Sequence, residues 1–344
     1  MKQGNKYGAH RVLEPKGLLP QAAQKIDNTM EIYDNEILVD VSALNIDAAS
    51  FRQLWEAAEG DEDRLKESII AIVNERGKMQ NPVTGSGGML MGSIAEIGPA
   101  LKDRDLKVGD RIATLVSLSL TPLKIEAITG VYPEIERVEV KGQAILFESG
   151  IYAKLPDDMS ENLALAVLDV AGAPAQTAKI VKPGDSVLIL GAGGKSGMLC
   201  GYEAMKRVGP CGNVVGMSRN DRHKAKMLDN GLLHKYFVAD AQNPMEVLEG
   251  ALAANDGREY DVVINVVNID GTEMSSILPC REGGLVYFFS MATSFTRAAL
   301  GAEGVGKDVT MIVGNGYTKN HAEFSIQELR ESEALKKIFE TQYV

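Results

Sequence analysis

Cysteine is scarce in this chain. Its 344 residues contain three, Cys200, Cys211 and Cys280, and none precedes position 200. Three thiols make a poor disulfide framework and suit a reducing cytosol. No Cys-x-x-Cys pair or His-x-x-x-His cluster offers a zinc site, so no metal is expected. Long apolar runs are missing too. Val187–Leu190 and Val262–Ile264 fall far short of the ~20 residues that cross a bilayer. The opening residues have no apolar stretch of the kind that directs secretion, and a cytoplasmic location follows as the expectation. Positive charge is outweighed, with 36 Lys and Arg against 47 Asp and Glu, a net charge of −11. Such a surface repels phosphate backbones and anionic lipid, so neither nucleic acid nor membrane is an expected partner. What remains is a globular composition, 45% apolar and 24% charged. At ~150 residues per domain, the length suggests two domains.

The patterning divides accordingly. Glu36–Leu44 alternates apolar and polar residues and reads as a half-buried strand. Phe51–Arg76 carries Leu54, Trp55, Leu65, Ile69, Ile70 and Val73 between charges, which predicts two helices broken at Gly60. Short apolar runs and six glycines in 82–120 predict a small β-rich unit. From about 160 the pattern changes. Ser160 can cap a helix, and strand-like runs then alternate with helical stretches. The predicted strands are Ser186–Leu190, Asn213–Met217, Tyr236–Val238, Asp261–Val267, Gly284–Ser290 and Val309–Val313. The predicted helices lie near 195–208, 220–230 and 244–254, with a last one at Ser325–Phe339. Repeated β-α units imply a parallel, doubly wound sheet.

The most informative segment follows the first of these strands. Val187–Leu190 runs into Gly191, Ala192, Gly193, Gly194, Lys195, Ser196 and Gly197, and then into a helical pattern. Strand, glycine turn and helix in this order bring backbone N–H groups close to a dinucleotide pyrophosphate. Gly194-Lys195-Ser196 matches the end of a Walker A loop, but the position five before Gly194 is Ile189, inside the strand. The fingerprint G-x-G-x-x-G meets Ser196 at its third glycine. The variant G-x-x-G-x-x-G is complete at Gly191, Gly194 and Gly197. A ligand-free glycine turn is the competing reading. The second strand ends at Ser218, Arg219 and Arg222, where NAD-specific folds carry a carboxylate. A hydroxyl and guanidinium groups suit a 2′-phosphate, hence NADP, with NAD also possible. Asp221 among them weakens that reading, and a solvated helix start is the alternative.

Over nearly its whole length the chain resembles the medium-chain dehydrogenase/reductase superfamily. Glu36–Leu44 followed by Asn45-Ile46-Asp47 looks like the first catalytic-domain strand and turn of the quinone-reductase branch. Gly92–Gly98 with Leu106–Ile112, Ala153–Asp157 and Val181–Val187 are similar to that family's later motifs, in order and spacing. The resemblance implies an α/β architecture. A GroES-like β-rich catalytic domain would hold residues 1–160 plus a returning C-terminal segment at about 315–344. A Rossmann domain with a doubly wound parallel sheet would hold 161–314. Zinc-dependent relatives carry Gly-His-Glu where this chain has Gly85-Ser86-Gly87, and cysteines near Ile46–Asp47 and Ala173. Their loss implies a zinc-free member. The opening Gly4–Pro20 is not a usual quinone-reductase start. It resembles a diamino-acid dehydrogenase branch, which implies oxidative deamination of a small diamino acid in lysine breakdown. Relatives pair sheets through their last strand, here Val309–Val313, which implies a homodimer.

Amine oxidation needs a base, because an ammonium holds the electron pair that must push hydride out. Asp47 lies where the resemblance places a residue close to the nicotinamide, although an Asx turn or helix cap would also explain it. Asp169 sits in the apolar stretch Leu163–Gly172, where an unpaired aspartate is costly. Ser119 and Thr121 are faint donor candidates. The four histidines, His10, His223, His234 and His321, have no partner visible in sequence and read as structural. A zinc-free quinone or enone reductase, and a non-catalytic nucleotide-binding redox sensor, remain open beside the dehydrogenase reading.

Overall fold

The computed structural model describes residues 2–314 and 316–343. They form two compact units, Met1–Asp157 and Asp158–Val344. The first contains β1 (Val12–Glu14), β2 (Lys25–Ile26), β3 (Glu36–Asn45), α1 (Ala48–Ala57) and α2 (Glu62–Arg76). It continues with β4 (Met89–Ile97), β5 (Arg111–Thr114), β6 (Leu123–Tyr132), β7 (Arg137–Phe147) and β8 (Tyr152–Lys154). Six strands make an antiparallel sheet in the order β6-β7-β3-β4-β5-β8. β3 is more buried than its alternation implies, because it lies inside the sheet and is covered on both faces. Ile37, Val39, Val41 and Leu44 join the α1–α2 residues Leu54, Leu65, Ile69 and Val73, while Leu38 packs with Ile145 and Phe147. The predicted break between helices is real. Gly60 has φ +74°, and Asp61 caps α2 by accepting from the Asp63 and Arg64 N–H groups. The long β6–β7 pair was not anticipated.

The N-terminal segment is tied down by a buried charge pair. Arg11 is fully buried and donates from Nε and Nη2 to the two carboxyl oxygens of Glu36, both at 2.7 Å. Its remaining donors meet the carbonyls of Thr29 and Glu31 at 2.7 and 2.8 Å. His10 Nε2 adds a 2.9 Å contact to Glu36. Burial alone would raise the Glu36 pKa. The bonds from Arg11, His10 and the Tyr33 N–H outweigh it and bring the group down to about 2.

The second unit opens with α3 (Glu161–Leu168), whose Leu163 N–H donates to Ser160 Oγ at 3.2 Å, followed by α4 (Gly172–Ile180). Then come β9 (Ser186–Leu190), α5 (Lys195–Val208), β10 (Asn213–Ser218), α6 (Lys224–Asp229), β11 (Lys235–Val238), α7 (Pro244–Ala254) and β12 (Tyr260–Asn265). The unit ends with α8 (Glu273–Ile277), β13 (Cys280–Phe288), α9 (Phe295–Val305), β14 (Thr310–Val313), α10 (His321–Glu331) and α11 (Glu333–Tyr343). The strands are all parallel, in the order β11-β10-β9-β12-β13-β14. The order reverses between β9 and β12, and the mouth of a doubly wound sheet is the crevice at that switch. Every predicted strand of this sheet is present to within a few residues.

The tail differs from expectation. One helix was predicted and two form. Their described residues pack within the second unit, α10 on α3, α4 and α5, and α11 on α3 and α5. Nearly all of α3 is apolar, so it needs a cover, and Ile326, Leu329, Leu335, Ile338 and Phe339 are the large apolar residues that the tail buries.

An acid pair lies between α5 and α10. Glu203 is buried and held by Arg207 Nε at 2.5 Å and Lys206 Nζ at 3.3 Å. Glu328 is buried against it, and neither of its oxygens finds a donor among the described residues. Burial first, then the Glu203 carboxylate, push its pKa well above the ordinary 4.5, against the pull of Lys206. Glu328 therefore keeps its proton to higher pH than an ordinary glutamate, and the protonated acid can donate to Glu203. The folded state binds a proton that the unfolded chain releases above about pH 4.5. Stability therefore falls as pH rises through that window, by up to ~1.4 kcal/mol per unit until the folded pKa is passed. Glu328→Gln keeps a donor and cannot ionise. Thermal unfolding of both proteins at about pH 5 and pH 8 should show the variant gaining on wild type at the higher pH. A difference that does not change with pH would mean Glu328 is already charged in the fold.

Candidate active site

The glycine turn occupies the C-terminal end of β9, at the switch point. Gly191 has φ +87°, and its N–H and that of Ala192 donate to the Met217 carbonyl at 2.9 and 3.0 Å. The Gly193 N–H donates to Ser218 Oγ at 3.1 Å, and the Gly194 N–H to the Gly191 carbonyl at 3.1 Å. α5 then starts with no side-chain cap. The glycines serve different ends. A Cβ on Gly197 would sit 2.3 Å from the Gly191 carbonyl, so the helix can pack on the turn only without one. A Cβ on Gly193 would strike the His223 ring at 2.7 Å. Gly194 is exposed with ordinary φ, and a Cβ there would meet nothing closer than 3.6 Å. The protein's own packing does not require glycine at 194. Its bare Cα leaves the first-turn N–H groups of α5 uncovered, the cradle that a pyrophosphate needs. The turn therefore fits a dinucleotide.

At the end of β10 the residues sort themselves. Ser218 Oγ is turned toward the Gly193 N–H, while Arg219 and Arg222 are exposed and make no ion pair among the described residues. His223 lies against the turn instead of out in solvent, its Nδ1 buried without a partner among the described residues. Burial, then Lys226 and Arg222, lower its pKa, so the ring is neutral at pH 7. Its position was not legible in sequence.

The two candidate bases stand in different surroundings. Asp169 is exposed where the sequence pattern had enclosed it, because α3 ends at Leu168 and the next residue turns out. Its Oδ2 accepts from Lys195 Nζ at 2.9 Å, and that ammonium stands 5.7 Å from the Tyr343 ring. Lys195 is thus neutralised beside the helix start, where a bare cation is unfavourable. Asp47, in the first unit, caps α1 by accepting from the Ser50 N–H at 3.0 Å through Oδ1. Its Oδ2 accepts from Ser86 Oγ, and it makes no ion pair among the described residues. Ser119 and Thr121 are buried and bond to Ser117, so neither is a free donor. Among the described residues no three His, Cys, Asp or Glu side chains group as metal ligands do.

A sequence profile described as the L-erythro-3,5-diaminohexanoate dehydrogenase N-terminal domain matches residues 10–156. The chain is 68% identical over 343 residues to L-erythro-3,5-diaminohexanoate dehydrogenase of Acetoanaerobium sticklandii, covering 99% of this chain and 100% of that one. It is 64% identical over 345 residues to the enzyme of the same name from Fusobacterium nucleatum subsp. nucleatum, covering 100% of both. The chain belongs to the L-erythro-3,5-diaminohexanoate dehydrogenase family. In fold it resembles CurK enoyl reductase, with a TM-score of 0.55 and 17% identity over 90% of this chain and 82% of that one. It also resembles quinone oxidoreductase of Escherichia coli, solved with NADPH, at a TM-score of 0.51 and 17% identity over 97% of this chain and 87% of that one. The quinone oxidoreductase of Coxiella burnetii gives 0.54 and 18%, over 94% and 93%.

Membership explains why the quinone-reductase fold carries such an unusual start. The family's N-terminal profile begins at His10, beside the Arg11 and Glu36 that lock this segment to β3. Sequence reading singled out the segment for its novelty and missed that its arginine is a core residue. The Lys195–Asp169 pair was also missed, since its members lie 26 positions apart with nothing local to join them.

Proposed function

We propose that this protein oxidatively deaminates L-erythro-3,5-diaminohexanoate to 5-amino-3-oxohexanoate and ammonia, with a nicotinamide dinucleotide taking the hydride and water supplying the oxygen of the ketone, as a step of lysine fermentation. What supports the reading is the identity to two dehydrogenases of that name along the entire chain. Nicotinamide, when bound, supplies a two-electron hydride acceptor. The residues that would hold the dinucleotide are Gly191, Gly193, Gly194, Lys195, Ser196 and Gly197 on the turn, with Ser218, Arg219 and Arg222 at the end of β10. Asp47 is assigned as the base that takes the proton from the 3-ammonium. A carboxylate without a cation beside it attracts an ammonium, whereas Asp169 already has the Lys195 ammonium. Asp169 then serves to hold Lys195 at the turn. Incubating the purified protein with L-erythro-3,5-diaminohexanoate and NAD or NADP should give NAD(P)H and ammonia. Turnover of quinones with NADPH, and none of the diamine, would replace this reading with a reductase.

For the cofactor we propose that NADP binds at least as well as NAD. Arg219 and Arg222 are exposed beside the turn without anionic partners, and a guanidinium–phosphate bond contributes roughly 1.5–3 kcal/mol, or ~10- to 100-fold in affinity. Ser218→Asp combined with Arg219→Ala should shift the NADP/NAD ratio of kcat/KM toward NAD. The new carboxylate repels the 2′-phosphate and can bond the ribose hydroxyls. An unchanged ratio would mean that the 2′-phosphate is read elsewhere or not at all.

We further propose a cytoplasmic homodimer. β14 forms the free edge of the parallel sheet, and Val313 on it is 61% exposed. An unpaired edge of this kind is stabilised by pairing with a second copy. Light scattering at micromolar concentration should return twice the chain mass, and a monomer there would remove the proposal.

A further inference from the structure

The geometry points to Ser86 as the residue that positions Asp47 for proton abstraction. This inference rests on the assignment of Asp47 as the base. The loop that carries Ser86 is pressed onto the turn after β3. A Cβ on Gly88, which has φ +103°, would stand 2.0 Å from the Asn45 carbonyl and 2.8 Å from the Asp47 N–H nitrogen. A Cβ on Gly87 would stand 2.5 Å from the Met79 carbonyl and 2.7 Å from the Ser119 nitrogen. Glycine at 88 lets the loop touch the turn after β3, glycine at 87 lets it pass the Met79 carbonyl and the Ser119 nitrogen, and Ser86 precedes both, donating its hydroxyl to Asp47 Oδ2.

That hydroxyl does nothing the fold requires. The loop is held without it by Asn81, which is fully buried. Asn81 Oδ1 accepts from the Val83 and Thr84 N–H groups at 2.8 and 3.4 Å, and its Nδ2 donates to Gln53 Oε1 at 2.8 Å and to the Ser50 carbonyl at 3.3 Å. Its backbone bonds close the loop in both directions, from the Asn81 N–H to the Ser86 carbonyl at 2.9 Å and from the Gly85 N–H to the Asn81 carbonyl at 2.8 Å. The cap of α1 does not need it either, because Ser50 uses the other oxygen, Oδ1. The Ser86 bond therefore adds one thing to the molecule, a fixed orientation of the second Asp47 oxygen. The Ser50 N–H and the Ser86 hydroxyl together hold the carboxylate by both of its oxygens. A base held in one direction avoids the loss that follows when the reacting group wanders.

Three variants test this, assayed with the diamine, with the cofactor varied for KM and saturating for kcat. Ser86→Ala should lower kcat about 10- to 100-fold while KM for the cofactor and the thermal unfolding midpoint stay near wild type. Ser86→Thr keeps the hydroxyl and should recover most of kcat. Asp47→Asn retains a good helix cap, so it folds, and should be the slowest of the three. Wild-type kcat in Ser86→Ala overturns the proposal, and so does a threonine variant as slow as the alanine one. If Asp47→Asn is inactive and Ser86→Ala is normal, the base assignment stands and the positioning role falls. If Asp47→Asn keeps wild-type kcat, the assignment of the base falls and takes this inference with it.

Discussion

A guanidinium buried without water must satisfy every donor, and Arg11 imposes that demand on the first unit. Two of its bonds go to Glu36, the first residue of β3, and others gather the carbonyls of Thr29 and Glu31 around it. Removing either partner would strand a buried charge, which costs about 3–5 kcal/mol. The irregular N-terminal segment is thereby as fixed as a strand. β3 leaves this clamp, crosses the interior of the sheet, and delivers Asn45, Ile46 and Asp47 at its far end. The candidate base lies at the other end of the strand that this charge pair anchors.

The second unit solves a different problem. A parallel sheet buries both faces, and its strands are apolar runs with their polar chemistry at the ends. That is why the sheet was legible. Val187–Leu190 and Val262–Ile264 have no alternative to being interior strands, and the helices between them have the right length. β3 was legible as a strand but not in its burial, because Asp40 and Ser42 gave it an alternation that its covered neighbours do not share. The β6–β7 pair was missed although Arg137–Ala144 alternates polar and apolar residues as a half-buried strand does. The fate of the tail was missed for another reason. The apolar positions of α10 and α11 state that they need a partner, and only the fold shows that α3, α4 and α5 supply it.

The candidate site was legible in its glycines and poorly legible in its acids. Gly191 and Gly197 are demanded by backbone geometry, and geometry of that kind leaves a pattern in sequence. Asp47 and Asp169 are each one aspartate among many, and what separates them is company. Asp169 has a lysine, and Asp47 has a serine and an amide. The membership of the chain in its family was carried by neither, but by the whole length and by an opening segment whose arginine is structural.

The Lys195–Asp169 pair also divides the charge around the turn. A lone ammonium at the start of α5 would have made the glycine turn a cation of long reach, sensitive to dissolved salt. Paired, it contributes almost no field beyond its immediate surroundings, and the helix N-terminus faces a ligand through short-range amide dipoles. The unpaired guanidinium groups of Arg219 and Arg222 stand just past the end of β10, in water, where counter-ions screen within ~8–10 Å. Ionic strength therefore acts on the charged end of β10 and largely spares the glycine turn, so dissolved salt weakens a long-range pull at one and leaves the short-range amide dipoles of the other intact.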